Sequence, residues 1–260
     1  MINLYANIEY TGNCKEAIDF FTKTFGGNVS AQNVRTYHEM PMAEAFGISG
    51  DCLDLIWQGQ LVFSIGQRRI NFDVADSLMT AMQKPSGGNR FKPTLLITQK
   101  NKDAMMQLQS NLAGHDYGIN LVCQHDECDS IFYCLDFNGF CRDVVAYYED
   151  AFGVKAKISH YEDAPYPTKI RSAVFDFGGF LLWLSDDSNS AQTGENTYDP
   201  GALLFYKVFF NPVLSAKFEQ DLDLALAFDK LSVGAKLNKA VENGEGSLID
   251  KYGICWHFKS

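Results

Sequence analysis

The first 26 residues change from strand-like to helix-like spacing of their apolar side chains. Leu4–Tyr10 has the pattern of a short strand. The apolar positions of Ala17–Phe25 then recur at helical spacing, and Gly26 is typical of a helix end. Asn13 and Glu16 have the spacing of a capping box, in which the Asn13 side chain would accept the first free amides. The pattern predicts a strand followed by a helix.

The region after this helix has strand-like segments separated by turn residues. Val29–Tyr37, Cys52–Trp57 and Gln60–Ile65 are each rich in β-branched and aromatic residues. Gly59 predicts a tight turn that joins the last two segments. Residues 77–92, which contain proline and glycine, have the composition of a connector. The predicted order of elements in this region is therefore β-α-β-β, with a further strand in some of the repeated units described below.

A second strand–helix unit follows in each half of the chain. In the first half, Thr94–Thr98 predicts a strand and Lys102–Leu112 a helix. In the second half, the corresponding prediction is a strand over Leu203–Phe210 and a helix over about Ser215–Leu231. The grammar is thus repeated about four times. Repeated units of this kind build α+β domains with antiparallel or mixed sheets and helices on one side.

The chain also resembles itself. Leu4–Asn28 aligns with Ile131–Lys155 without gaps, at a shift of 127 residues. Such self-similarity is a sign of internal duplication. We predict two domains, residues 1–128 and residues 129–260. The identical pairs are Gly12/Gly139, Cys14/Cys141, Phe25/Phe152 and Gly26/Gly153.

The first copy is shorter than the second. After the helix at Lys102–Leu112 it has only Gly118–Gln124 before the second copy begins. Two strands are therefore missing, and the first domain is trimmed at its C-terminal strands. Alternatively, Ser130–Cys141 serves as the last strand of the first half. The similarity of residues 136–139 to residues 250–253 supports this alternative.

Composition and charge narrow the classes of function. The chain has 22 Lys and Arg residues against 32 Asp and Glu residues, a net charge of −10. This charge disfavours nucleic acids and anionic membranes as partners. The N-terminus has no secretory signal pattern, and no apolar run is long enough to cross a bilayer. We therefore expect a cytoplasmic protein.

Cysteine is scattered along the chain. Seven cysteines, an odd number, make a poor disulfide framework. Cys123, Cys128, Cys134 and Cys141 lie near His125, but their spacings differ from those of structural zinc sites. We interpret them as small buried apolar side chains. Hydrolase and nucleotide-binding motifs are absent from the sequence.

Four segments resemble a known family, the PhnB-like (demethylubiquinone methyltransferase-like) branch of the glyoxalase/bleomycin-resistance/dioxygenase, or vicinal oxygen chelate, superfamily. They are Tyr10–Gly27, Phe137–Gly153, Leu184–Asp186 and Asp250–Trp256. The resemblance implies an α+β fold of repeated βαβββ modules. These modules would form curved, cup-shaped mixed sheets around a ligand, with helices packed outside. Family members include metal-dependent enzymes and metal-free drug-binding proteins, so the fold alone does not choose the function.

In the metal-dependent members, ligands come from the first and fourth strands of each module. The corresponding positions of this sequence mostly carry side chains that do not bind metal. His257 is the one candidate ligand, and we predict no cofactor. The positions carried over are Ala6, Ser64, Thr94, Tyr133, Trp183, Phe205 and His257.

Aromatic residues concentrate in the second half, where the resemblance places a pocket. We predict ligand contacts by Tyr133, Trp183, Phe205 and Trp256. Glu9 and Asp136 occupy equivalent first-strand positions in the two copies. Such paired carboxylates suit acid–base chemistry, so both join the predicted ligand-binding set.

The leading prediction is a metal-free protein with an aromatic-lined pocket that binds a small organic molecule. One alternative is a metal-dependent lyase or dioxygenase that uses His257 and acts on a small substrate with vicinal oxygens. Another alternative is a non-catalytic module for protein association. The protein would be a monomer with duplicated domains or a homodimer. The sequence leaves open whether it is an enzyme, and it has no glycine-rich cofactor motif of a methyltransferase.

Overall fold

The computed structural model describes residues 2–82, 93–115, 117–137, 139–160, 169–186 and 214–260. These residues form a mixed α+β fold. Its strands make two unclosed sheets, and its helices fall between strands along the chain. The helices are α1 (Cys14–Phe25), α2 (Leu78–Ala81), α3 (Lys102–Leu112), α4 (Cys141–Phe152) and α5 (Asp221–Ser232). The strands are β1 (Ile2–Tyr10), β2 (Val29–Thr36), β3 (Ile56–Ile65), β4 (Arg68–Asp76), β5 (Thr94–Gln99), β6 (Asn120–His125), β7 (Ser130–Asp136), β8 (Lys157–His160), β9 (Ile170–Phe177), β10 (Phe180–Ser185), β11 (Leu214–Phe218), β12 (Leu237–Glu242), β13 (Glu245–Ile249) and β14 (Cys255–Lys259).

The larger sheet has eight strands in the order β12-β13-β14-β11-β1-β4-β3-β2. β1 pairs in parallel with β4 and antiparallel with β11. β11 likewise pairs in parallel with β14, so the pairing pattern is the same on both sides of the central β1–β11 pair. Strands from the beginning and the end of the chain meet at its centre.

The smaller sheet has six strands in the order β6-β5-β7-β10-β9-β8. β7 lies between β5, its antiparallel neighbour, and β10, its parallel neighbour. The order β7-β10-β9-β8 repeats the order β1-β4-β3-β2 of the larger sheet. Between α3 and β7 the described residues form a single strand, β6, so this sheet has two strands fewer than the other. Each sheet joins strands from both predicted sequence copies, and the division near residue 129 stays a prediction.

The larger of two hydrophobic clusters among the described residues lies between the two sheets. The ring of Phe72 on β4 is 6.4 Å from that of Tyr133 on β7, so the sheets contact each other directly. α1 and α3 pack together, as do α4 and α5, and all four helices contribute to the same core. We call the face of each sheet that points away from this core its outer face. Because strand side chains alternate, every second residue of a strand lies on the outer face.

The start of α1 corrects the predicted capping box. The Asn13 side chain makes no capping hydrogen bond, although Asn13 is the residue before the helix. The Asp76 carboxylate, at the end of β4, instead accepts the amides of Gly12 and Cys14 at 2.8 and 3.1 Å. Because Asp76 is 2 % exposed and negatively charged, it satisfies these amides better than a neutral side chain could. The cap therefore comes from 62 residues away in sequence.

Asp186 repeats this arrangement in the smaller sheet. It follows β10 and accepts the amides of Gly139 and Cys141 at 2.6 and 2.9 Å, at the start of α4. Its second oxygen accepts the Ile170 amide at 3.0 Å. Each carboxylate thus ties a helix start to the end of a strand and to a neighbouring strand.

The predicted strand pair around Gly59 is wrong. Gly59 lies inside β3, and Gly50–Asp54 forms a 3₁₀ turn rather than part of a strand. The turn of this hairpin falls at Gly66, whose φ is +60°, a conformation that favours glycine. β4 follows this turn and was not predicted.

The predicted helix over about Ser215–Leu231 is wrong in its start. Leu203–Phe210 lies outside the described residues. Leu214–Phe218 forms β11, where the predicted helix was to begin, and α5 starts only at Asp221. Pairing with β1 and β14 explains this, because it satisfies the backbone of a segment whose own pattern is short and ambiguous. Among the described helices, none is long and apolar enough to cross a membrane.

Candidate functional site

The outer face of the smaller sheet carries an aromatic pair. Phe132 on β7 and Trp183 on β10 have ring centroids 5.3 Å apart and planes at 77°, an edge-to-face contact. Both side chains are partly exposed. Edge-to-face packing is a favourable geometry for aromatic rings, in which the edge of one ring lies against one face of the other.

Apolar side chains surround this pair. Leu96 on β5 lies beside Phe132 in the sheet, and Leu181 on β10 lies on the same face two residues before Trp183. They are 9 % and 5 % exposed. Cys134 is the register partner of Trp183. We call these five residues, Leu96, Phe132, Cys134, Leu181 and Trp183, the aromatic face.

The cysteine of the aromatic face is not chemically activated. Burial raises the pKa of the Cys134 thiol to about 12, so the thiol stays protonated at neutral pH. A protonated thiol is a weak nucleophile and a poor metal ligand. The face can therefore offer ring surfaces and apolar contact, but its own cysteine is not activated.

Two of the predicted ligand residues lie in the core. Tyr133 is 0 % exposed, and its ring is 5.9 Å from that of Phe180 on the core side of the smaller sheet. Trp256 is also 0 % exposed. Its ring lies 5.0 Å from that of Phe152, and its indole N–H donates to Asp250 at 3.1 Å. Tyr133 thus lies on the core face of the smaller sheet, and Trp256 lies on the core face of the larger sheet.

The paired carboxylates are not brought together. Glu9 lies on the outer face of β1 in the larger sheet, whereas Asp136 ends β7 in the smaller sheet. Because the two outer faces point away from a shared core, the two carboxylates cannot act on one ligand. Phe205 lies outside the described residues.

His257 lies on the outer face of β14 in the larger sheet. Its register partners are Ser215 on β11 and Ser247 on β13. Burial lowers the pKa of its imidazole, with Glu245 opposing and Lys259 reinforcing this shift. No group of three or more His, Cys, Asp or Glu side chains among the described residues could hold a metal ion.

On the first strands β1 and β7, sequence reasoning missed the outward-facing side chains because its register there was shifted by one residue. The predicted ligand position Ala6 is 0 % exposed and faces the core, while Tyr5 and Asn7 face outward. The same shift selected Tyr133 instead of Phe132. A one-residue slip moves every side chain of a strand to the other face. The alternation of Leu4, Ala6 and Ile8 with polar residues was the available signal.

Comparisons with known proteins give fold neighbours but no family assignment. No family model matches the chain, and no curated protein gives a significant match. A PhnB protein from Bacillus cereus, named as a candidate 3-demethylubiquinone-9 3-methyltransferase, is 18 % identical with a TM-score of 0.34. The similarity covers 48 % of this chain and 95 % of that one.

Two further solved structures are similar. A Pseudomonas aeruginosa protein is 13 % identical over 69 % of this chain and 92 % of its own, with a TM-score of 0.31. A gene product of Arabidopsis thaliana is 17 % identical over 67 % of this chain and 100 % of its own, also with a TM-score of 0.31. At these identities and scores, the likeness assigns no function to this chain.

Proposed function

We propose that this protein binds a small, planar, largely apolar organic molecule on the aromatic face, without a metal ion. The observation that carries the proposal is the edge-to-face pair of Phe132 and Trp183, set on an outer sheet face beside Leu96 and Leu181. Ligand sites are mainly apolar and aromatic, with a few polar groups that fix orientation. Thr94, beside Cys134 in the sheet, is 3 % exposed and its hydroxyl accepts a hydrogen bond from the Asn120 amide at 3.2 Å, so the aromatic face itself is mainly apolar.

The residues of the aromatic face support binding rather than chemistry. Its thiol is protonated, and the predicted carboxylate Asp136 lies at the end of β7, two residues beyond Cys134. The metal-dependent alternative needs at least three converging ligands. His257 is the candidate ligand that sequence suggested, and it lies on the other sheet.

Ligand binding is tested with 1-naphthol as a planar probe, by following the fluorescence anisotropy of the probe itself. We expect saturable binding by the wild-type protein and about tenfold weaker binding by Trp183→Leu, since losing an aromatic contact costs about 0.5–1.5 kcal/mol beyond the lost area. Trp57→Leu is the matched control, because Trp57 is a partly exposed tryptophan on β3 of the larger sheet. Equal losses in both variants, or an unchanged affinity in Trp183→Leu, would contradict the proposal.

The metal-free state needs a separate measurement. Native mass spectrometry of freshly purified protein reports any co-purified organic molecule and the number of subunits, and elemental analysis reports metals. We expect no stoichiometric metal after dialysis against a weak chelator. Retention of one equivalent of zinc, nickel, manganese or iron would show that the metal-free proposal is wrong.

A further inference from the structure

The two sheets end differently at corresponding strands. β6 pairs in parallel with β5, just as β14 pairs in parallel with β11. In the larger sheet, β13 lies beside β14 as an antiparallel neighbour, and β12 follows β13. In the smaller sheet, β6 is the last strand on this side that the structure describes. The smaller sheet therefore ends at a strand that is covered in the larger one.

The backbone register shows which groups of β6 lie at the end of the sheet. The amides of Asn120 and Asp126 donate to carbonyls at or next to the ends of β5, at 2.9 and 3.1 Å. In a parallel pair, successive residues direct their N–H and C=O groups alternately to one side and the other. The groups of every second residue of β6 therefore point away from β5. We call the residues concerned the free edge: Leu121, Cys123 and His125.

The other edge strands of the two sheets have features that oppose further pairing. Among the described strands, these edges are β2, β8 and β12, and each has a break in its register with its neighbour. Each also carries at least one basic side chain, which is Arg35, Lys157 and Lys239 respectively. Bulges and edge charges keep a sheet from adding another strand. β6 has neither, because its register is regular throughout and it contains no Lys, Arg, Asp or Glu.

Exposed apolar side chains lie on both sides of the free edge. Val122 is 44 % exposed and lies on the outer face of the smaller sheet. From the core side, Gln109 of α3 donates its side-chain amide to the Cys123 carbonyl at 2.9 Å. Met106 lies one helical turn before Gln109 on the same side of α3 and is 47 % exposed. A carbonyl has two lone pairs, so Cys123 can still accept a hydrogen bond from another strand.

We propose that β6 pairs antiparallel with β6 of a second copy of this chain, across a two-fold axis. The pairing joins two six-stranded sheets into one continuous sheet and satisfies the backbone groups of both free edges. It selects the homodimer from the two states that the sequence predicted. The proposal does not depend on the function proposed above.

The distribution of charge favours a second copy in this orientation. β6 is uncharged, so two copies can approach along it although each chain carries a net charge of −10. Asp126 and Glu127 directly follow β6 and are exposed. In the antiparallel arrangement they lie beside the start of the partner strand, whereas parallel pairing would place like charges side by side.

Sedimentation velocity of the full-length protein at about 1 to 100 μM tests the pairing. We expect a monomer–dimer equilibrium, with the dimer prevailing at about 100 μM. Hydrogen exchange locates the interface, since the amides of the free edge should exchange more slowly at the higher concentration. A monomer at every concentration, or a dimer that leaves exchange in β6 unchanged, overturns the proposal.

Variants distinguish β6 from other surfaces. Val122→Lys places like charges on the two paired strands and should weaken dimerisation about tenfold. Gln124→Lys does the same at a second exposed position of β6. The matched control is Ile158→Lys, because Ile158 is 41 % exposed on β8, the opposite edge of the same sheet, and dimerisation should not change. Circular dichroism confirms that each variant is folded. Unchanged dimerisation in both β6 variants, or an equal loss in Ile158→Lys, overturns the proposal.

Discussion

The Asp186 carboxylate is expected to be among the most important side chains for stability. It is 2 % exposed and accepts three backbone amides, those of Gly139, Cys141 and Ile170, at 2.6 to 3.0 Å. Replacing it with alanine removes all three acceptors at once. Cys141 and Ile170 are buried, so water cannot easily take the place of the carboxylate at their amides.

The loss of unfolding free energy in Asp186→Ala can be estimated from these contacts. An unsatisfied buried amide costs about 1–3 kcal/mol, and two such amides remain after Asp186→Ala. Loss of a negative charge at the start of α4 adds about 0.5–1 kcal/mol. We therefore expect a loss of about 3–5 kcal/mol, a large share of a typical unfolding free energy of about 5–15 kcal/mol. Asp186→Asn keeps one oxygen and should lose about 1–2 kcal/mol.

Urea unfolding followed by circular dichroism measures these losses. With a slope of about 2–3 kcal/mol per molar urea, Asp186→Ala should unfold at a urea concentration lower by about 1–2 M. Asp76→Ala should give a similar loss, since Asp76 makes the same three kinds of contact in the other sheet. Asp19→Ala, at an exposed position of α1, is the control and should stay within about 0.5 kcal/mol of wild type. A loss below about 1 kcal/mol in Asp186→Ala would refute the reasoning.

Three further predictions concern a turn, the core and His257. Gly66→Ala should destabilise more than Gly178→Ala by about 1–3 kcal/mol in urea unfolding: both glycines have positive φ, but only the first would place a Cβ 2.3 Å from the Asp129 carbonyl. Trp256→Phe should lower the unfolding free energy by about 1–2 kcal/mol, because a buried carboxylate loses an indole donor; thermal unfolding checks this, and an unchanged midpoint counts against it. Because the folded-state pKa of His257 is lowered, the unfolded chain binds more protons near pH 6, so stability should fall as the pH drops below about 6.5. In His257→Gln that part of the decline should vanish, and identical pH profiles of the two proteins would contradict the assignment.

Local pattern was sufficient to predict the strand–helix units. The helix α1 lies where apolar spacing placed it, and α4 lies where the alignment with residues 4–28 placed it, because each buries one continuous apolar stripe. The same logic failed around Gly59, where a glycine lies inside a strand rather than in a turn. Val74 on the adjacent strand β4 packs close to Gly59. The local sequence pattern cannot predict such a contact between strands.

The candidate sites were harder to predict than the elements. Trp183 lies on an outer sheet face, whereas Tyr133 and Trp256 are core residues. All three are large aromatic side chains on strands, and composition does not tell which face each occupies. The face depends on the exact register, which the repeat alignment fixed only to within one residue. The ligand roles of the predicted residues therefore stay predictions.

The sequence by itself determined the α+β class and the order of strand and helix in the units β1–α1 and β7–α4. These features depend on local apolar periodicity, which can be recognised within a single segment of the chain. Only the tertiary structure decided that β1 pairs with β11 and β5 with β7, so that each sheet draws on both halves of the chain. It also decided that Asp76 and Asp186 cap distant helices. Such features arise because pairing between distant strands sets register and burial together, and neither is encoded in a short stretch of residues.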